Sequence, residues 1–236
     1  MSRFLERAFV WVGGAMFVAS LAFCAYTYVV TWSTARGRAP GRLSLETGWA
    51  AFGFDALLLT VFAMHHSLFA RETMKRWLAR TLPERLLRSV YIWTASVLLA
   101  GACALWQPLG SDVYQAAGAW RLVHGGIQWL GLLLIALSVR SIDPLDLAGI
   151  RQRPRVERLQ IVGPYRLVRH PLYLGWVLVV FGAAHLTGDR LAFAAITVAY
   201  LVVAIPFEER SLIAAFGGAY ERYQQHVRWR IVPYVY

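Results

Sequence analysis

Four stretches of this chain run for about twenty residues with very little charge, which is the length a helix needs to cross a bilayer. They are residues 9–31, 49–69, 89–106 and 120–139. Two shorter ones, 172–187 and 191–207, are separated only by Gly188, Asp189 and Arg190 and read as a tight hairpin. In lipid every backbone N–H and C=O must be satisfied within the protein, so such stretches become helices. The expected fold is therefore an all-α membrane protein with about six transmembrane helices, the last two forming a C-terminal helical hairpin. The composition agrees. The chain is 58% hydrophobic and only 16% charged, where soluble proteins hold roughly 45–50% apolar residues.

The formal net charge is +11. In a soluble protein that balance would point to nucleic acid. Here the basic residues lie between apolar stretches, so they read as topology signals and no nucleic-acid partner is expected. With the N-terminus inside, the inner segments hold 19 of the 24 Lys and Arg residues. Arg36, Arg38, Arg42, Arg121 and Arg190 fall outside. This split places both termini in the cytoplasm. Lys75 is the only lysine, and so arginine-rich a usage fits a GC-rich bacterial genome; the expected location is a bacterial inner membrane. A cleaved signal peptide competes for the first stretch, but its apolar run continues to Val30 and is long enough to span.

The polar loop from Arg140 to Arg169 divides a four-helix membrane region, 1–139, from a C-terminal region, 140–236, expected to form the functional core. After Phe207 the chain turns polar. Leu212, Phe216, Tyr220, Tyr223 and Val227 recur at helical spacing, which predicts an amphipathic helix on the cytoplasmic side, interrupted at Gly217 and Gly218. Pro206 is placed to kink the helix that precedes it. Cys24 and Cys103 both sit in apolar runs and read as buried free thiols, with a lone disulfide as the alternative. No metal site is expected, and no Cys-x-x-Cys spacing exists. Asp55, His65 and His66 lie in the second span, where ionisable groups are costly and often functional. Packing and interfacial hydrogen bonding is the plainer reading of the histidines.

Charged side chains gather at the cytoplasmic mouth of the fifth span. Gly163-Pro164-Tyr165-Arg166 leads to Arg169-His170-Pro171, and Pro171 suits the first turn of a helix. Cationic donors at a helix N-terminus favour an anionic group. Glu208 and Glu209 should lie across the hairpin at the same membrane boundary. Cations on one wall and carboxylates on the other suit a zwitterion. The competing reading is that these are interfacial anchors that pair with one another.

The pattern Gly163-Pro164-Tyr165-Arg166, Arg169-His170-Pro171, Tyr173 and Gly175, followed by Glu208-Glu209, Leu212, Phe216-Gly217, Tyr220, Tyr223, Val227 and Pro233, resembles the signature of the integral-membrane methyltransferases. That group includes isoprenylcysteine carboxyl methyltransferases and phospholipid N-methyltransferases. The stretches AFGFDALLLTVFAMHHSLFAR, ALWQPL and DLAGIRQ are more loosely similar to bacterial methanethiol S-methyltransferases. The resemblance implies a cofactor, S-adenosylmethionine, at the cytoplasmic end of the hairpin. It would be held by Tyr165, Arg169, His170, Pro171, Tyr173, Leu174, Gly175, Glu208 and Glu209. An arginine fork suits the methionyl carboxylate, and a carboxylate suits its ammonium or the ribose hydroxyls. Arg169 or Arg230 would act catalytically, by favouring an acceptor thiolate or holding an acceptor carboxylate. The implied acceptor is a small thiol or a lipophilic molecule delivered through membrane lipid, with a prenylated cysteine or a lipid amine as alternatives. A small transporter or sensor, with Asp55 and the histidines lining a pathway, is the reading from another class.

Overall fold

The computed structural model describes residues 3–34, 48–69, 72–140, 145, 148–150 and 159–236. Arg36, Arg38, Arg42 and much of the loop from Arg140 to Arg169 fall outside these residues. The chain divides into two compact units, residues 1–110 with 142–154, and residues 111–141 with 155–236.

The first unit contains α1 (Arg3–Val29), α2 (Gly48–Phe69), α3 (Glu72–Leu78) and α4 (Glu84–Ala104). Helices α1 and α4 lie side by side. Gly13 lets them approach, since a Cβ there would stand 2.8 Å from the Trp93 indole nitrogen. That indole donates to the Phe9 carbonyl at 3.0 Å and its ring stacks on Phe9. Farther along, Trp32 meets Trp106 with ring centroids 4.5 Å apart. Helix α2 packs on α4 and buries Ala51, Asp55, Leu59 and His65. Asp55, fully buried, accepts a hydrogen bond from the Gln107 backbone N–H at 2.8 Å. His66 Nδ1 lies 2.6 Å from the Tyr91 hydroxyl, and His65 stacks between Phe69 and Tyr91. His66 is thus hydrogen-bonded within this unit, whereas His65 is packed among aromatic rings with neither ring nitrogen hydrogen-bonded among the described residues.

The second unit holds β1 (Asp112–Gln115), α5 (Ala119–Val139), α6 (Pro171–Phe181), β2 (His185–Thr187), α7 (Gly188–Phe216) and α8 (Gly218–His226). Helices α5 and α6 cross where Gly131 faces Gly175. A Cβ on Gly131 would lie 2.6 Å from the Gly175 carbonyl, and one on Gly175 would lie 2.7 Å from the Gly131 carbonyl. Small residues at such crossings let helix backbones approach in lipid, where packing drives association. Helix α7 packs along α6 and runs unbroken through Pro206 to Phe216. Gly217, at φ +52°, ends it and opens α8.

Among the described residues, five helices are long and apolar enough to cross a membrane: α1, α2, α4, α5 and α7. Large apolar side chains such as Trp120, Leu122 and Trp129 stay exposed on them, as a lipid-facing surface requires. The chain is thus an all-α integral membrane protein. The apolar stretch 172–187, expected as one helix, is helical only to Phe181. Eleven residues reach about 16 Å, roughly half of a bilayer core. The helix stops at Gly182, and residues 185–187 pair instead as an antiparallel strand with β1, Asp112 opposite Thr187 and Gln115 opposite His185. The Tyr114 hydroxyl donates to the Ala183 carbonyl at 2.7 Å, and the Ala116 N–H donates to that of Ala184. These bonds satisfy the groups that a longer helix would have used.

Candidate functional site

The mouth of α6 is assembled from four pieces of the second unit. The first is a 3₁₀ turn at Gly163–Arg166. The second is the Arg169-His170-Pro171 entry, with His170 as N-cap and Pro171 in the first turn. The third is the polar end of α7. The fourth is α8 with the tail that follows it. Val168, Leu174, Ile205 and Ile231 form the buried apolar cluster beneath, and Trp229 and Tyr173 pack against it. The tail lies along the entry segment. The Arg169 N–H donates to the Trp229 carbonyl and the His170 N–H to that of Arg230, both at 2.8 Å.

Glu209 is the hub. Its side chain is 6% exposed and its Oε1 accepts from Arg169 Nε at 2.6 Å. His170 Nε2 lies 3.4 Å from the same oxygen. Arg230 Nε lies 3.4 Å from Oε2, and Gln224 Nε2 donates to Oε2 at 3.3 Å. Burying this much charge is tolerable only because every charged group is matched. Arg169 is itself 7% exposed, and its Nη1 donates to the Val227 and Arg228 carbonyls at 2.8 and 2.7 Å. Its guanidinium therefore ties α7 and the tail to the α6 entry.

Glu208 is the open counterpart, with its side chain 45% exposed. The Tyr173 hydroxyl donates to its Oε1, and His170 Nδ1 lies 3.6 Å from Oε2. His170 stacks on Tyr173, centroids 5.3 Å apart. The two ring nitrogens of His170 thus face the two carboxylates. Arg230, 34% exposed, is the open cation; its Nη1 donates to the Tyr236 hydroxyl at 2.9 Å. Tyr223 donates to the Tyr165 carbonyl at 2.7 Å. Burial pushes its phenol above the usual range, so it stays a protonated donor. Burial first, then the Glu209 charge, pushes the Tyr220 phenol up to about 12.

The structure therefore brings Arg169, His170, Tyr173, Glu208, Glu209 and Arg230 into one cluster. Tyr165 stands at its edge, on the 3₁₀ turn held by Tyr223. Pro171, Leu174 and Gly175 are buried in the packing of α6, and Arg166 is exposed on the turn. Sequence reasoning missed Gln224. It lies four residues after Tyr220, so a polar side chain on the apolar face of α8 was the available signal. It also missed the tail carbonyls that hold Arg169, for which side-chain chemistry carries no signal. A cluster with one buried ion pair, one open carboxylate and one open cation can take a molecule bearing both charges.

Replacing Tyr173 by Phe tests the open carboxylate. The lost bond reaches a half-exposed partner that water can serve, so its cost is modest. The purified variant should therefore melt within a few degrees of the wild type in a thermal scan. A much larger fall would show that the Tyr173–Glu208 bond holds the α6 mouth together.

The phospholipid methyltransferase family matches residues 125–219 of the chain. A methanethiol S-methyltransferase 2 of Bradyrhizobium diazoefficiens is 40% identical, over 73% of this chain and 70% of its own length. A methanethiol S-methyltransferase of Crocosphaera subtropica is 31% identical, over 99% of this chain and 95% of its own. A nurim of Danio rerio is 27% identical, over 86% and 82%. No solved structure matches.

Proposed function

The chain belongs to the integral-membrane methyltransferases, and we propose that it moves a methyl group from S-adenosylmethionine to a small thiol at the mouth of α6. The observation that carries this reading is the cluster in which Arg169, His170, Glu208, Glu209 and Arg230 meet. Its donor set fits a zwitterionic amino-acid group, with Glu208 for the ammonium and Arg230 for the carboxylate, since these are its exposed charges. Arg169 and Glu209 are largely occupied by each other and by the tail. Their proposed role is to hold the wall in place, and Tyr165 and Tyr173 offer aromatic surface beside it. S-adenosylmethionine, when bound, supplies a methyl group already activated on a sulfonium.

What remains for the protein is mostly alignment. Methylation of a thiol releases one proton. A cationic neighbour such as Arg230 favours the thiolate that has already lost it. The apolar, lipid-exposed surfaces of α5 and α7 let a lipophilic acceptor arrive from the membrane while the polar donor arrives from water. The 19 inner basic residues against five outer ones favour a cytoplasmic site in a bacterial inner membrane.

The relatives named for methanethiol choose the first acceptor to try. Purified full-length protein given S-adenosylmethionine and methanethiol should release dimethyl sulfide, read by gas chromatography of the headspace. The phospholipid methyltransferase match favours a second reading, a lipid amine acceptor. Methyl label in the lipid fraction with none in volatile product would replace the thiol by that amine.

A further inference from the structure

On the reading of the α6 mouth as the donor site, we infer that Tyr236 is a positioning residue, which holds the Arg230 guanidinium in place for the carboxylate of the methyl donor. An arginine that is 34% exposed normally gives up rotamer freedom when it meets an anion, and that loss weakens binding. Here much of the freedom is already gone. Arg230 Nη1 donates to the Tyr236 hydroxyl at 2.9 Å, and the guanidinium carbon stands 5.1 Å from the centroid of the same ring. One side chain thus engages an edge of the guanidinium and covers one of its faces. The Nε edge faces Glu209 Oε2 at 3.4 Å. Nη2 has no partner among the described residues, so the end of the fork keeps donors for a planar carboxylate.

The backbone delivers Tyr236 to this place. The N–H groups of Arg230, Ile231 and Val232 all donate to the Tyr236 main-chain oxygen, at 2.9, 2.8 and 3.1 Å. The Val232 carbonyl in turn accepts from the Val235 and Tyr236 N–H groups at 3.1 and 3.0 Å. Between them the chain bends through Pro233, whose ring fixes its own φ, and Tyr234, at φ +65°. Tyr236 also packs against the buried cluster of Val168, Leu174, Ile205 and Ile231. The start of the segment is tied to the entry of α6, where the His170 N–H donates to the Arg230 carbonyl at 2.8 Å. Residues 230–236 therefore close into a loop that brings the Tyr236 ring onto Arg230, with both anchored to the wall that carries Arg169 and Glu209.

The test is a double-mutant cycle read by titration calorimetry on the purified full chain, with a thermal melt of each preparation. Wild type, Tyr236→Phe, Arg230→Gln and the double variant are titrated with S-adenosylhomocysteine and with its decarboxylated analogue. Phenylalanine keeps the ring on Arg230 and removes only the hydroxyl. Tyr236→Phe should melt as the wild type does, bind S-adenosylhomocysteine about fivefold more weakly and bind the decarboxylated analogue unchanged. Arg230→Gln should weaken S-adenosylhomocysteine further, and adding Tyr236→Phe to it should change nothing more, because the two residues act as one. A second fivefold loss in the Arg230→Gln background would show that Tyr236 does not act through Arg230 and would overturn the positioning role. So would unchanged binding in Tyr236→Phe beside a weakened Arg230→Gln. Equal weakening of both ligands, with a lower melting temperature, would make Tyr236 a packing residue and overturn it too. Wild-type affinity in Arg230→Gln is a separate failure. It would remove the assignment of the carboxylate to Arg230, and the role of Tyr236 with it.

Discussion

Glu209→Gln should abolish binding of S-adenosylhomocysteine to the detergent-purified protein. The carboxylate is 6% exposed and is the shared partner of Arg169, His170, Arg230 and Gln224. An amide keeps the shape and one acceptor oxygen but removes the charge. The Arg169 guanidinium, 7% exposed, is then left buried beside a neutral group. Breaking a buried pair in this way costs about 3–5 kcal/mol. The cost is divided between stability and the geometry of the α6 mouth. The affinity should fall by at least about a hundredfold, roughly 2.7 kcal/mol, and the melting temperature should fall with it. Titration calorimetry and a thermal melt on the same preparation separate the two effects. A folded variant with wild-type affinity would mean that Glu209 plays no part in holding the donor.

Gly175→Val should do comparable damage by a different route. The new Cβ would lie 2.7 Å from the Gly131 carbonyl, 2.8 Å from Ile135 Cγ1 and 3.1 Å from the Ile135 nitrogen. Two of these three neighbours are backbone and cannot turn aside. Overpacking of a well-filled interior costs about 1–3 kcal/mol and more where the obstacle is rigid. Relief requires α6 to move off α5, and α6 carries Arg169 and His170 at its entry. The expected result is a lowered melting temperature together with lost S-adenosylhomocysteine binding, and Gly131→Val should reproduce it. Gly126→Ala is the matched control, because a Cβ there meets nothing within 4 Å, and it should melt and bind as the wild type does. A Gly175→Val protein that melts normally would show that the two helices do not need this close crossing.

The membrane architecture was legible because it depends on run length alone. Long apolar stretches with few charges leave the backbone no alternative to helix, and each of the four longest is a helix in the structure. The segment after Phe181 was not legible. Residues 182–187, GAAHLT, carry no Asp, Glu, Lys or Arg and so extended the uncharged run, but they pair with residues 112–116, far away in the chain. The cluster at the α6 mouth divides in the same way. Arg169, His170 and Glu209 could be singled out because buried or interfacial charge needs partners of opposite sign. The close crossing at Gly175 could not, since it depends on Gly131 standing opposite, a relation that local sequence does not contain. In the structure Gly175 lies against Gly131 and Ile135 of α5, and Leu174 belongs to the apolar cluster. Helix α7 continues through Pro206, the expected kink position, to Phe216.

The most direct test of the proposed function is methyl transfer itself. Purified full-length protein in lipid vesicles is supplied with S-adenosylmethionine labelled in its methyl group and with a small alkanethiol. Labelled thioether and S-adenosylhomocysteine are measured together over time, with Glu209→Gln beside the wild type. The account predicts that the two products form in equal amounts and that neither forms with the variant. A folded wild type that makes neither from any thiol or lipid amine would contradict it.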